Sequence, residues 1–180
     1  MNCLGESVRI SQSPMSASEA CLVLETTERI LLASIPDPNP WTGAAPIREL
    51  IHTLCSNSRM SFHTLMTALQ YVVRFATRIL REDTSPDVSS CRLRDPRRVF
   101  LAALIIAHKY RYDQTYSNRA WSKLTRLSIA EINDLERGLL QGLNYQLYIH
   151  ERDHNEFVSW FSSRAFHLQQ GSGSSKVISR

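Results

Sequence analysis

Residues 99–107 read VFLAALIIA, an unbroken apolar run that ends directly before His108 and Lys109. Asp95 and Pro96 stand ahead of this run and form a typical helix start, in which aspartate caps the first turn and proline occupies its first position. A helix that is apolar on every side must be surrounded by other elements. The sequence therefore predicts a central helix with the rest of the fold packed around it. The apolar run does not explain why Lys109 stands at the end of this helix.

Apolar residues recur at helical spacing on both sides of the central helix. The clearest case covers residues 62–79, where the spacing alternates between three and four residues, as in an amphipathic helix. The other predicted helices run from about residue 19 to 32 behind Ser18 as N-cap, from Pro46 onward, around residues 118–126, from the Ser128–Glu131 capping box to Gly142, and through a last segment with Phe157, Trp160 and Phe161 on one face. No segment alternates convincingly between apolar and polar residues. The predicted fold class is therefore all-α, a five-helix bundle around a buried central helix with an extra N-terminal helix.

Length and composition describe one domain of ordinary size. The chain has 180 residues, of which 43% are hydrophobic and 21% are charged, as is typical of a globular protein with its own core. Three prolines within residues 36–40 mark the strongest boundary. We therefore expect an N-terminal extension over residues 1–45 with one helix, a main helical domain over residues 46–168, and a disordered tail over residues 169–180.

Charge, apolar runs and cysteines argue against several classes of protein. The net charge of +4 is small for a nucleic-acid-binding protein, and the arginines of residues 92–98 lack interleaved aromatic residues that would stack on bases. The run 99–107 is shorter than the ~18 apolar residues that cross a bilayer, and the N-terminus lacks the basic and apolar parts of a signal peptide. The cysteines are scattered without a CxxC pair, which indicates reduced thiols in an intracellular protein. They are Cys3, Cys21, Cys55 and Cys91.

One segment matches a catalytic motif. Residues 150–154 read HERDH, which fits the zinc-peptidase pattern H-E-x-x-H, with His150 and His154 as ligands and Glu151 as general base. The longer form of the motif has a glycine and a histidine at positions where this chain has phenylalanine and tryptophan, and His167 is the remaining candidate for a third ligand. The polar face of an amphipathic helix is the simpler interpretation. We therefore expect no metal and no other cofactor.

Lys109 and Glu136 form the second candidate feature. A cation in the last turn of a helix suits the helix dipole, and this alone would account for Lys109. Glu136, however, lies beside the apolar stripe of a later helix, next to Leu140, where a carboxylate is costly unless it is paired. Two interpretations stay open: an internal Lys109–Glu136 salt bridge, or a charged and apolar surface that a partner completes.

Three stretches of the chain together resemble the cyclin box, most closely that of the fungal Pcl-type cyclins, which partner a phosphate-pathway cyclin-dependent kinase. They are TLMTALQYVVRFATRI at residues 64–79, RRVFLAALIIAHKYRYDQTYSNRAWSKLT at 97–125, and LSIAEINDLERGLLQGLNYQL at 127–147. The resemblance makes the main domain, residues 46–168, a single cyclin box. The segment PIRELIHTL, residues 46–54, lacks the M-R-x-I-L pattern of the substrate-docking helix in cell-cycle cyclins, so we expect no such docking site.

The resemblance implies a regulatory subunit rather than an enzyme. In cyclins, a lysine at the end of the central helix and a glutamate on a following helix contact the kinase, and Lys109 and Glu136 hold those positions. Pcl-type cyclins also have an aspartate and an asparagine soon after the lysine that are associated with the kinase activation segment. The kinase-binding residues that the resemblance implies are Lys109, Tyr110, Asp113, Asn118, Glu136, Leu140, Tyr145 and Leu147.

The same resemblance implies the partners and the location. We expect a heterodimer with a cyclin-dependent protein kinase and, through it, contact with kinase substrates, but no nucleic acid and no membrane. The expected location is the nucleus and the cytoplasm. A zinc peptidase and a cyclin-fold adaptor that binds no kinase remain as alternatives, although the presence of Lys109 and Glu136 argues against the adaptor. Ser13 and Ser85, each followed by proline, match the minimal pattern of a proline-directed kinase, which is common in loops.

Overall fold

The computed structural model describes residues 17–35, 47–57, 61–81, 93 and 95–172. These residues form seven helices and contain no strand, which confirms the all-α prediction. The helices are α1 (Ala17–Ser34), α2 (Ile47–Asn57), α3 (Phe62–Arg81), α4 (Pro96–Arg111), α5 (Asn118–Thr125), α6 (Ile129–Gly142) and α7 (Glu151–Ser172). None of these helices is both long enough and apolar enough to cross a membrane.

Helix α4 is the buried centre that the apolar run predicts. Asp95 caps it by accepting a hydrogen bond from the backbone N–H of Arg97 at 2.9 Å, and Pro96 occupies the first turn. Every residue from Val99 to His108 is buried. Helices α3 and α6 pack against α4 most extensively, and α1 touches it as well. The surrounding helices therefore supply the apolar environment that this helix requires.

Helix α3 contributes the predicted apolar stripe to this core. Leu65, Leu69 and Val72 are buried along one face of the helix. Phe62, the first residue of the stripe, meets the ring of Phe161 in α7 edge to face, with 6.0 Å between the ring centroids. Because α3 also packs against α1, it joins the central helix to both outer helices.

The two helices after α4 begin where the sequence predicts. The hydroxyl of Ser117 caps α5, and Trp121 of that helix is buried in the core. Ser128 and Glu131 form a complete capping box at the start of α6, and Gly142 is the last residue of that helix. Both starts depend on hydrogen bonds within a few residues, which is why a short stretch of sequence can indicate them.

Helix α7 is held to α3 by a polar contact in addition to its apolar face. The Nδ1 of His154 lies 2.9 Å from the amide nitrogen of Gln70, and its Nε2 lies 3.2 Å from the Nδ1 of His63. When the Gln70 amide donates to His154, the Nε2 of His154 carries the proton and donates to His63. This chain of hydrogen bonds requires a neutral His154 ring.

The apolar residues of α7 share the predicted face but are buried to different degrees. Phe161 is buried and Phe157 is half-buried, but Trp160 is 43% exposed. Its ring still lies beside that of Phe157, with 5.5 Å between the ring centroids, so Trp160 stands at the edge of the predicted face. Consecutive helical residues point about 100° apart, so Trp160 turns away from Phe161 and toward the surface between α7 and α1.

Some predicted boundaries differ from the structure or lie outside the described residues. Helix α1 begins at Ala17, so Ser18 is its second residue and the prediction of Ser18 as N-cap is wrong. Helix α7 continues to Ser172, so the first four residues of the tail predicted from residue 169 are helical. The domain boundary at residue 45 stays a prediction. Outside the described residues lie the three prolines, Cys3, Ser13, Ser85 and Cys91.

Replacement of Gly142 should destabilise the fold. A Cβ at this position would overlap the ring of Phe75, with one ring carbon 2.6 Å away, and Phe75 is itself buried. We expect Gly142→Ala to lower the free energy of unfolding, measured by urea titration, by about 1–3 kcal/mol because the core is overpacked. Gly138→Ala is the matched control on the same helix, since its Cβ would meet only the flexible end of Leu93. Equal losses in the two variants would contradict this account.

The stability of the fold should decrease below about pH 6.5. Burial, and then the neighbouring His63 and Arg111, lower the pKa of His154 below the ordinary 6.5. Burial likewise lowers the pKa of His108. Between the folded and unfolded pKa values the unfolded chain binds more protons, so the free energy of unfolding falls as the pH falls through that window. In urea titrations at several pH values, His154→Gln should make this dependence shallower, because the variant lacks the group whose pKa folding lowers. An unchanged slope in His154→Gln would contradict the assignment.

Candidate functional site

Lys109 and Glu136 form a bidentate ion pair between the end of α4 and the middle of α6. The Nζ of Lys109 donates to Oε1 of Glu136 at 2.7 Å and to Oε2 at 2.8 Å. The internal salt bridge, one of the two interpretations that the sequence leaves open, is therefore present. It does not remove the pair from the surface, because 33% of the Lys109 side chain and 17% of the Glu136 side chain are exposed. A second protein can therefore still reach both charges.

Asn118 extends this pair into a polar cluster. Its Nδ2 donates to Oε2 of Glu136 at 2.9 Å and to Oδ1 of Asn133 at 2.6 Å. The Ser117 cap places Asn118 at the first position of α5, which packs against α6. Because the carboxylate accepts from both Lys109 and Asn118, its orientation is fixed. Sequence reasoning missed Asn133, although it precedes Glu136 by three residues and must share its helix face.

An aromatic cluster fixes the loop between α4 and α5. The centroid of the buried His108 ring lies 4.7 Å from that of Tyr112 and 5.0 Å from that of Tyr116. Trp121 of α5 meets the ring of Tyr116 edge to face at 5.8 Å. Rings from both helices therefore pack on the rings of the connecting loop. This packing determines how the end of α4 stands relative to the start of α5, and so where the polar cluster forms.

Tyr110 lies next to Lys109 at the end of α4, on the side nearer to α7. The residue is 50% exposed, and it lines a cavity of about 310 Å³ together with Arg111, Tyr148 and His154. Arg74 of α3 donates to the carbonyl of Tyr148 at 3.0 Å and so holds the loop before α7 in place. Exposed aromatic rings are common anchors of protein interfaces. Sequence reasoning missed Tyr148, and no local pattern identifies it.

The turn after α6 presents Tyr145 in an unusual backbone conformation. Asn144 and Tyr145 have φ angles of 51° and 58°, in the left-handed region that bulky residues rarely adopt. The backbone N–H of Tyr145 donates to the carbonyl of Leu140 at 2.8 Å, and the hydroxyl of Tyr71 donates to the carbonyl of Leu147 at 2.9 Å. These bonds hold the turn while Tyr145 remains 63% exposed. Backbone strain that is maintained by surrounding contacts is typical of functional sites.

The structure brings part of the predicted residue set into direct contact. Lys109, Asn118 and Glu136 form the hydrogen-bonded cluster. Four further residues lie on the adjoining helix ends and turn, namely Tyr110, Leu140, Tyr145 and Leu147. Asp113 is exposed two residues after the end of α4. We call this set of eight residues the Lys109–Glu136 face, and its role in kinase binding stays a prediction.

The described residues do not assemble the alternative zinc site. His150 is exposed and precedes α7, whereas both ring nitrogens of His154 face Gln70 and His63. Within the described parts of the chain, no group of three or more His, Cys, Asp and Glu side chains is placed to hold a metal ion. His154 therefore connects α3 to α7 in this structure.

Comparison with known proteins identifies the family. The family model described as Cyclin matches residues 11–147, which is most of the chain. The G1/S-specific cyclin pas1 of Schizosaccharomyces pombe is 27% identical over 140 residues, covering 75% of this chain and 33% of the relative. PHO85 cyclin-5 of Saccharomyces cerevisiae is 31% identical over 116 residues, covering 63% and 48% respectively. PHO85 cyclin-1 of the same yeast is 29% identical over 151 residues, covering 79% and 52%.

The matched region contains the Lys109–Glu136 face. It runs from before α1 to Leu147, and so includes α1 to α6 and the strained turn. The chain spans about half the length, or less, of these curated relatives. The resemblance in the sequence is thereby confirmed: the chain belongs to the cyclin family, with relatives among the Pcl-type cyclins of yeasts.

Proposed function

We propose that this chain is the regulatory subunit of a cyclin-dependent serine/threonine protein kinase, which it binds as a heterodimer and activates. The observation that carries the proposal is the accessible Lys109–Glu136 pair, which lies where the cyclin resemblance expects kinase contacts. The relatives named PHO85 cyclins favour a kinase of the type that those cyclins partner.

The ion pair retains hydrogen-bonding capacity for a partner. An ammonium group has three N–H donors, and Lys109 uses two of them on Glu136, so one is left. The carboxylate of Glu136 offers about four acceptor positions and accepts three bonds, including one from Asn118. One donor and one acceptor therefore remain at fixed positions on the surface. The exposed rings of Tyr110 and Tyr145 would exclude water around these contacts.

The proposed mechanism is positional. A protein kinase transfers phosphate only when a glutamate of its αC helix pairs with a lysine of a neighbouring strand. A partner that binds this active arrangement more tightly than the inactive one shifts the kinase population toward activity. The Lys109–Glu136 face would bind αC in its active position, and the exposed Asp113 would be available to the activation segment.

In this proposal the kinase supplies all of the chemistry. The chain contributes binding energy and orientation but no catalytic group, and it acts where its kinase acts, in the nucleus and the cytoplasm. Kinase substrates would be presented to the complex rather than to this chain alone. The zinc-peptidase alternative receives no support from the described residues, because His154 is bound by two neighbouring side chains.

Removal of either charge should weaken kinase binding. We expect Glu136→Ala and Lys109→Ala each to raise the Kd for the kinase by about 10–100-fold, because truncation leaves the other charge unpaired in the interface. Isothermal titration calorimetry with the purified kinase measures this change, and phosphorylation of a peptide substrate should fall in parallel. Arg137→Ala is the matched control, since Arg137 is an exposed residue on the same helix and forms only a long contact with Asp134, at 3.8 Å.

Exchange of the two charges distinguishes a contact with the kinase from a salt bridge that serves only the internal structure. The double variant Lys109→Glu with Glu136→Lys keeps an ion pair between α4 and α6, and the Asn118 amide can turn its oxygen toward the new lysine. We expect a melting temperature close to that of the wild type, but no recovery of kinase binding, because each charge then faces the wrong partner group. Recovery of binding in this variant would show that the pair serves only the internal structure.

A further inference from the structure

A groove between α1, α3 and α7 lies apart from the Lys109–Glu136 face. It has a volume of about 440 Å³, within the range of ligand pockets. Ile30 of α1, Val73 of α3 and Trp160 of α7 form its apolar lining. Trp160 is the residue whose exposure the sequence did not predict, and the groove accounts for where its ring points.

The charged side chains that line this groove are both arginines. They are Arg29 of α1 and Arg164 of α7, and His167 of α7 lies beside them. The guanidinium of Arg164 lies over the ring of Trp160, 5.8 Å from its centroid, so cation and apolar surface form one unit. Arg29 bonds to Glu25 through one nitrogen at 2.9 Å and keeps further donors, since its side chain is largely exposed.

Acidic groups are absent from the groove wall that α7 provides. The sequence contains no Asp or Glu from residue 157 to residue 180. On the α1 wall, Glu25 pairs with Arg29 at 2.9 Å, and Glu28 is held by Arg48 of α2 at 2.8 Å. The groove therefore combines an apolar floor with two arginines: Arg164, which has no carboxylate partner among the described residues, and Arg29, which keeps further donors beside its pair with Glu25. A complementary occupant would carry apolar groups between negative charges.

We propose that this groove binds an acidic peptide segment of a partner protein, with an apolar or aromatic side chain of the peptide against Trp160 and its carboxylates on Arg164 and Arg29. An extended peptide fits an open cleft between two long helices, and it can place apolar and acidic side chains within one short segment. The inference does not rest on the proposed kinase function, because the groove is formed by this chain alone.

The groove can be occupied while the Lys109–Glu136 face is also in use. Arg164 lies ten residues after His154 along α7, a rise of about 15 Å, and His154 marks the end of the helix that is close to Tyr110. A protein bound through the groove would therefore be held beside whatever binds the other face. Such a link raises the effective concentration of one partner near the other.

Selection from a random dodecamer peptide library displayed on phage tests the proposal directly. The whole wild-type chain serves as bait. Peptides that also bind the chain with Arg164→Glu and Arg29→Glu are discarded, because they bind elsewhere. We expect the enriched peptides to combine Asp or Glu with Phe, Trp or Leu. Failure to enrich any peptide that distinguishes the two proteins, or enrichment of peptides without acidic residues, would overturn the proposal.

Affinity measurements on an enriched peptide then locate its binding site. Fluorescence anisotropy should show that Arg164→Glu and Trp160→Ala each raise the Kd at least about tenfold, and that added salt weakens binding. Arg152→Glu is the control, because Arg152 is an exposed residue on α7 that does not line the groove. Circular dichroism melting verifies that each variant is folded. Equal affinity for the Arg164→Glu and Arg152→Glu variants would place the peptide elsewhere and contradict the proposal.

A second copy of this chain is the competing occupant of the groove. Sedimentation of the wild type should show a monomer at micromolar concentration. A dimer that Trp160→Ala converts to a monomer would assign the groove to self-association and overturn the peptide proposal.

Discussion

The burial of α4 on every side is the constraint on which the rest of the structure depends. Its apolar run, residues 99–107, contains no polar side chain, so Lys109 is the first long cation after the run that can reach the surface. Helix α6 must pack on α4 to cover it, and this packing brings Glu136 to the same point. The ion pair is therefore a consequence of how the core closes, and its position on the surface is as fixed as the core itself.

An ion pair at the surface contributes little stability by itself, often less than 1 kcal/mol. The Lys109–Glu136 pair nevertheless makes two hydrogen bonds, and Asn118 donates a third to Glu136. So small a stabilisation of the fold does not explain this degree of order. Such a pre-ordered pair loses little side-chain entropy when a partner binds. The same holds for the turn at Tyr145, where hydrogen bonds maintain a strained backbone around an exposed ring. Both features fit a surface whose order serves binding.

The sequence predicts those parts of the fold that depend on local chemistry. The Asp95 cap, the Ser128 capping box and the α3 stripe need only neighbouring residues or one helical period, and all three are present. The start of α1 differs from the prediction because the apolar spacing of this helix is irregular. The exposure of Trp160 and the contact of His154 with α3 could not be predicted, because both depend on how distant helices meet. For the site, the sequence allows the Lys109–Glu136 salt bridge as one of two interpretations. The cavity lined by Tyr110 and Tyr148 cannot be predicted, because its residues come from distant parts of the chain.

Amide hydrogen exchange of the whole chain shows directly whether a kinase binds the Lys109–Glu136 face. The chain is compared alone and with an equimolar cyclin-dependent kinase of the type that PHO85 cyclins partner. If the kinase binds this face, we expect exchange to slow most in residues 109–118 and 136–147 and to change little in the second half of α7. Protection confined to α1 and α7, or no protection anywhere in the presence of the kinase, would contradict kinase binding at this face.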